Sequence, residues 1–552
     1  MPIITIKKNE IKKYLGDISD KEIDNKLNLA GLGVERVHND VVDIEITPNR
    51  PDLLSFKGIK RYLENYFKKP GFREYEVEKP AKNYKVVIDK SVKNVRPFTS
   101  CAIVKGLKFS DEVIEEIIDI QEKLHGTYGR NRKKLAIGIY PLEKIKLPIK
   151  FSAKKPEDIK FQPLAFPKEI NGRQILSQHP TGREYGDLLK NKDVFPVFED
   201  ASGQVLSMPP IINSDKTGKV DYDTSDIFIE CSGFDKEYLD KTLNMIVCAL
   251  GDMNGKICSM EVDDKSEGKR ITPNLDFEKI PINLGKINGV LGLKLNEKEI
   301  KNYFGKMGIG FQKNEDELIA LIPPYRVDIL HEIDLVEEIA IAYGYENFIP
   351  EIPSISSIGE ESKIEKLKRK ISEILIGLDL IEVSSYHLST REKQFKKIGI
   401  KEFKNKIIEV LDSKTENNIL RNSLLANSIQ ILSENSDASY PQKIFEHGKV
   451  FYNNDKSDTG IGESERLCIS LCYEKANFTE LKQILDYVIR MLDLEYEIKE
   501  TDNSSFISGR VGEIIVNGKS IGVIGEINPT VLKNNRMRMP VSSLEIDLES
   551  LI

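Results

Sequence analysis

The apolar and polar positions of this chain run in two rhythms, and the changes between them divide it into blocks. Residues 10–16 (EIKKYLG) and 21–32 (KEIDNKLNLAGL) have apolar positions three and four apart, which predicts two helices. VDIEI at 42–46 alternates as a half-buried strand does. TPNRPD then breaks the pattern, and LLSFKGIKRYL restarts it as a helix. Residues 67–83 are polar, with two prolines and one glycine, and read as a linker. From 84 to 268, short β-rich runs (KVVID, CAIVKGL, LAIGIY, IFIEC) alternate with helical ones (DEVIEEIIDIQEKLHG, DKEYLDKTLNMIVCALGDM). That mixture predicts an α+β or α/β domain. A third block, 269–354, contains NLGKINGVLGLKLNEKEIKNYFGKMGIGF and a further helical stretch, and ends at the proline-marked joint PEIPSI. The last block, 355–552, is again α+β. It opens on the helix KIEKLKRKISEILIGL and closes on GEIIVNGKSIGVIGEI, a hairpin turning at Asn517-Gly518. The expectation is a multidomain α+β protein of four blocks: 1–83, 84–268, 269–354 and 355–552.

Length agrees with that division, since 552 residues at about 150 per domain give three to four. A composition of 40% apolar and 31% charged residues is that of a globular chain. With 81 Lys+Arg against 88 Asp+Glu the net charge is −7, which excludes binding nucleic acid by bulk charge. RNA would have to meet local basic patches. The six cysteines form no CxxC pair and no histidine sits at zinc-finger spacing, so free thiols in a reducing cytosol are expected. No signal-peptide pattern and no apolar run of membrane-spanning length occurs, which predicts a cytoplasmic protein without membrane contact.

The stretch PPYRVDILHEIDLVEEIAIAYGY (323–345) carries the first candidate chemistry. Asp334, Glu337 and Glu338 fall at i, i+3 and i+4, on one face of a helix, and Asp328 lies in the turn leading in. Four carboxylates brought to one point would repel unless a hard divalent cation such as Mg²⁺ lay among them. Acids in a first helical turn are equally well explained by the helix dipole, with no metal at all.

RVDILHEIDLVEEIAIAYGYENFIP resembles the B5 domain of the β subunit of phenylalanine–tRNA ligase, whose pattern is D-x5-D-x2-E-E followed by Y-G-Y. Asp328, Asp334, Glu337 and Glu338 match it position by position. The resemblance implies that these acids bind Mg²⁺ near a contact with the α subunit. It extends to VDIEITPNRPDLLSFKGIKR (42–61), and to QEKLHGTYGRNRKKLAIGIYPLEKI (121–145) and FPVFEDASGQVLSMPPIINSDKTGKV (195–220), which are similar to the B3/B4 editing domain. NILRNSLLANSIQILSEN and KIFEHGKVF (418–451) are similar to B6/B7, a degenerate class II catalytic domain built on an antiparallel sheet. The chain ends just after EIDLESLI, as the shorter archaeal and eukaryotic form does. The implied assembly is an (αβ)2 tetramer that charges tRNA(Phe), with ATP and phenylalanine bound by the α subunit.

The resemblance also implies hydrolysis of Tyr-tRNA(Phe). An apolar pocket rejects an added hydroxyl by only about 100-fold, so a second, hydrolytic site is needed. Glu230, at a predicted strand end, could accept the tyrosyl hydroxyl, with Ser232 following it. Asn213 and Ser214 supply turn-borne donors, and His179 matches a family histidine beside the pocket. The motif often reads Thr-Gly-Thr-Asp where this chain has Ser232-Gly233-Phe234-Asp235, so Phe234 departs from it. No Ser-His-Asp or Cys-His order is evident, which points to a positioned water. Arg130, Arg132, Lys133 and Lys134 form the densest basic cluster of the block and are candidates for RNA phosphate contacts, or a solvated turn. For ligation itself no residue is assigned: in GIGESER, Arg466 falls one place late for G-x-G-x-x-R, and Arg421 reads as structural. The alternatives are a tRNA-binding or interaction protein without catalysis, and a free-standing Mg²⁺-dependent hydrolase.

Overall fold

The computed structural model describes residues 2–315, 317–400 and 407–552. It divides into two compact units, Met1–Ile352 and Pro353–Ile552.

The first unit opens with an antiparallel sheet ordered Ile3–Lys7, Val41–Glu45, Gly33–His38. Two helices, Lys8–Leu15 and Asp20–Leu29, accompany it. The second is started by a capping box in which Ser19 and Glu22 satisfy each other's amides. After TPNRPD, Ser55 accepts from the Gly58 amide at 2.9 Å and starts the helix Phe56–Leu63.

A large mixed sheet follows. Its strand order is Ile212–Asn213, Val205–Met208, Phe195–Glu199, Ile149–Lys154, Lys85–Ile88, Lys256–Asp264, Phe98–Lys105, Ile227–Gly233, Leu135–Pro141. The helices Asp111–Gly126 and Lys236–Gly251 cover one face at its Leu135–Pro141 end, sharing a core with Ile137, Ile139, Ile229 and Cys231. Side chains of opposite parity, Cys101, Tyr140 and Phe228, enter a second core on the other face. The polar stretch 67–83 is not a loose linker. Val77–Glu78 adds to Lys256–Asp264 as a short parallel strand, Phe72 packs on Phe277, and Tyr75 reaches Asp252. Its scattered apolar residues find partners that composition conceals.

Residues Glu278–Ile282, Glu317–Ile322 and Gly310–Asn314 then form a small antiparallel sheet in that order. It is flanked by helices Leu284–Leu291, Glu297–Lys306 and Glu332–Tyr343. The second unit is built on a seven-stranded sheet. Its strands, in order, are Ile381–Glu382, Gln442–Asn453, Ile461–Cys472, Val541–Asp547, Lys519–Ile527, Phe506–Val516 and Tyr496–Glu500. All pairs are antiparallel except the first. Helices Lys363–Gly377 and Phe478–Met491 share one core with this sheet, and Leu424–Glu434 another. All six cysteines are buried and unpaired. Among the described residues no helix is long and apolar enough to cross a membrane.

Candidate functional site

Strand Leu135–Pro141 pairs with Ile227–Gly233 along one edge. Along the other, side chains of helix Asp111–Gly126 stand in for a strand. The Gln121 amide donates to the Ile137 carbonyl at 3.2 Å, and the Ile137 amide donates to His125 Nε2 at 2.8 Å. A cavity of about 110 Å³ opens beside this edge, lined by Gln121, Glu122, His125, Arg132, Ala136, Ile137, Leu164, Ser207, Pro209 to Asn213, and Glu230. Its size is of the order that admits one six-membered ring.

Glu230 reaches the cavity over Gly138. A Cβ at Gly138 would lie 2.6 Å from Glu230 Oε1 and closer still to the Tyr140 hydroxyl. Any side chain there would displace the carboxyl. The Tyr140 hydroxyl lies 2.8 Å from Ser207 Oγ, 3.3 Å from Glu230 Oε1 and 3.4 Å from Asn213 Oδ1. Glu230 is 2% exposed, and its Oε2 has no hydrogen-bond partner among the described residues. An unpartnered buried acceptor costs free energy, and a ligand hydroxyl would relieve it. Burial pushes the Glu230 carboxyl up to about 8, against the charge of Arg96 and the hydroxyls of Ser232 and Tyr140. Arg96, itself buried, donates to Ser232 Oγ at 3.1 Å and to the Ser232 carbonyl at 2.6 Å.

Another part of the lining is ionic. His125 accepts the Ile137 amide at Nε2, so its proton sits on Nδ1, 3.2 Å from Glu122 Oε1. Burial lowers the His125 pKa. Burial would raise the Glu122 carboxyl, but His125 and Arg132 together carry it down to about 2.

The structure brings Glu230 and Asn213 together at this cavity, with Ser232 one strand alternation away. It does not place Ser214 or His179 in the lining. The Ser214 amide bonds the Leu206 carbonyl, fixing a turn, and His179 Nε2 lies 3.1 Å from the Leu164 carbonyl, bracing the wall from behind. The basic cluster also separates. Arg130, Lys133 and Lys134 are exposed. Arg132 is turned inward, 2.9 Å from the Ile211 carbonyl and 3.0 Å from Glu122 Oε1, with its guanidinium over Tyr185. It holds the cavity wall and is not a surface phosphate contact. Arg130, Asn131 and Arg132 have φ of 49°, 52° and 63°, a left-handed run that turns Arg132 back under the helix end. Tyr140, Arg96, His125 and Gly138 carry no local motif, and the sequence reading passed over them.

The four acids of 328–338 do not converge. Arg326, with 1% of its side chain exposed, takes two of them. Its Nε and one terminal nitrogen bond Asp328 at 2.8 and 2.7 Å, and Glu338 lies 3.0 and 2.8 Å from its terminal nitrogens. Although burial opposes it, Glu338 and Asp328 hold the Arg326 guanidinium firmly charged. Asp334 accepts the Leu330 and His331 amides, both at 2.8 Å, and so caps the helix; Glu337 is exposed. Among the described residues no three metal-ligating side chains gather. The donors of this chain taken alone therefore do not fit a four-carboxylate magnesium site, because a guanidinium already supplies the cation. Close by, Arg50 grips Asp52 with two 2.9 Å bonds, while Arg61 meets Asp252 and lies 3.8 Å from the Tyr325 ring centroid.

In the second unit Arg421 and Glu446 are both buried and lie 2.6 Å apart, with Ser385 Oγ 2.9 Å from the arginine. Arg466 bonds Glu545 at 3.0 Å. Arg421 and Arg466, the two arginines weighed from the sequence, are each matched by a carboxylate.

Comparison with known proteins bears on both units. The family model of the phenylalanyl tRNA synthetase beta chain CLM domain matches residues 349–548, and that of the tRNA synthetase B5 domain matches 280–345. The chain is 38% identical over 557 residues to the phenylalanine–tRNA ligase beta subunit of Archaeoglobus fulgidus, covering 100% of this chain and 98% of that one. It is 36% identical to that of Pyrococcus horikoshii over 559 residues, 100% of both. The crystal structure of an N-terminal fragment of the phenylalanyl-tRNA synthetase beta subunit from P. horikoshii is 36% identical. It superposes with a TM-score of 0.58 over 62% of this chain and 99% of the fragment.

Proposed function

Since the chain belongs to the phenylalanine–tRNA ligase β-subunit family, we propose that it removes tyrosine wrongly attached to tRNA(Phe). In this reading, block 84–268 is a B3/B4-type editing domain and 355–552 a degenerate class II catalytic-like domain. An α subunit binds ATP and phenylalanine and carries out ligation, in an (αβ)2 assembly. One observation carries the proposal: Glu230 presents an unpartnered carboxyl oxygen at the cavity. A phenylalanyl ring would leave it unpaired, whereas a tyrosyl hydroxyl would satisfy it. The step is ester hydrolysis. Water adds to the ester carbonyl, and the 3′-terminal ribose oxygen leaves with a proton. His125 has both ring nitrogens engaged, so it shapes the wall rather than abstracting that proton. Asn213, in the cavity lining, would orient water or ribose, and the exposed Arg130, Lys133 and Lys134 would meet RNA phosphates. Magnesium enters no step of this reading.

The test is Glu230→Ala assayed with the α subunit present. Deacylation of Tyr-tRNA(Phe) should slow by about 10- to 100-fold, the worth of one buried hydrogen bond. Phe-tRNA(Phe) synthesis should be unaffected. Equal deacylation in mutant and wild type removes Glu230 from the site. No deacylation by the wild type leaves the chain as a tRNA-binding partner.

A further inference from the structure

Glu230 and Ser232 lie on one face of strand Ile227–Gly233, and the next residue of the same alternation, Phe234, lies just beyond its end. All seven strand residues are buried, yet Phe234 is 52% exposed. Its ring is not unsupported. The Arg96 guanidinium lies 5.5 Å from the ring centroid, while the same side chain bonds Ser232 and its charge acts on Glu230 and His125. One buried arginine therefore lies beside the exposed aromatic ring, bonds Ser232 and acts by its charge on Glu230 in the cavity lining. Four residue steps lead from Glu230 to Phe234, roughly 13 Å at about 3.3 Å per residue. An extended tyrosyl ester of adenosine spans a comparable length from phenolic oxygen to base. The exposed Lys134 stands nearby, 4.7 Å from the Tyr238 ring, where the phosphate chain would continue.

We infer that Phe234 is a stacking platform for the 3′-terminal adenine of the RNA whose ester enters the cavity. This rests on the editing reading and adds the subsite that holds the base. Stacking suits the position. It needs one open aromatic face and no hydrogen-bond readout, and a cation behind the ring adds to its hold on the strand.

The test uses the full chain with its α subunit and two probes: tyrosine joined by a non-hydrolysable amide to 3′-amino-3′-deoxyadenosine, and the same tyrosyl amide on a 3-amino-3-deoxyribose lacking the base. Phe234→Ala should weaken binding of the first about tenfold, within the range for one stacked base, and leave the second unchanged. Phe234→Trp should restore it. With Tyr-tRNA(Phe) as substrate, KM should rise while kcat holds. Equal affinity of mutant and wild type for the adenosine probe overturns the inference, as does an equal loss for both probes or a wild type that binds neither. A wild type that holds the adenosine probe more tightly than the baseless one, yet leaves Tyr-tRNA(Phe) intact, removes the editing reading while supporting the stacking site.

Discussion

Alanine substitution of the four acids of 328–338, one at a time, separates a guanidinium-centred cluster from a metal-centred one. Glu338 and Asp328 face the buried Arg326, so truncating Glu338 strands half of the charge compensation in a dry site. Breaking a buried pair from one side costs about 3–5 kcal/mol. Asp328→Ala should cost a similar amount, since it removes two bonds to the same guanidinium. Asp334→Ala removes a helix cap and should cost about 1 kcal/mol. Glu337 is exposed, and its loss should be within about 0.5 kcal/mol of neutral. The order expected is Glu338 and Asp328, then Asp334, then Glu337. Native-state amide exchange in helix Glu332–Tyr343 reads the local opening free energy without assuming that a multidomain chain unfolds in one step. Each variant is measured with EDTA and with Mg²⁺. Four equal losses, with the wild type falling to the same level under EDTA, would refute the guanidinium account and restore the metal.

The remaining predictions concern the cavity and the second unit. The folded pKa of Glu230 lies near 8, above the usual carboxyl value of 4.5, so the native state binds the extra proton. Stability is then fullest below about 4.5 and falls as pH rises toward 8; Glu230→Gln should flatten that slope in thermal unfolding, and an unchanged slope counts against the assignment. Glu122 acts the other way, since its folded pKa near 2 means stability lost as pH falls from 4.5 toward 2, and Glu122→Gln should blunt that acid limb. The chain without an α subunit should support no phenylalanine-dependent ATP–pyrophosphate exchange, because Arg421 and Arg466 are committed to Glu446 and Glu545; measurable exchange would sink this.

Where local pattern decides structure, the chain could be read directly. The helices Asp111–Gly126 and Lys236–Gly251 follow their apolar spacing, and the strands Leu135–Pro141 and Ile227–Gly233 fall on the β-rich runs LAIGIY and IFIEC. Asn517 and Gly518 take φ of 50° and 75°, as a two-residue hairpin turn requires. Contacts made through sheet register were not legible. Tyr140 and Glu230 are 90 positions apart, and Arg96 and Ser232 are 136 apart, so no spacing rule unites them. Glu230 and Asn213 could be singled out only through the family likeness. The acidic helix misled for a different reason. Counting like charges on one helical face left out Arg326, two positions before Asp328, whose fork reaches the loop and the helix together.

At Ile137, a helix supplies the donor and acceptor that an adjoining β-strand would have offered. A foreign peptide approaching that rim meets an amide and a carbonyl already engaged, so the sheet cannot be lengthened there by another molecule. Side chains, unlike a strand, need not fill the space beside them. The same substitution that guards the margin against self-association also keeps a small chamber open against it.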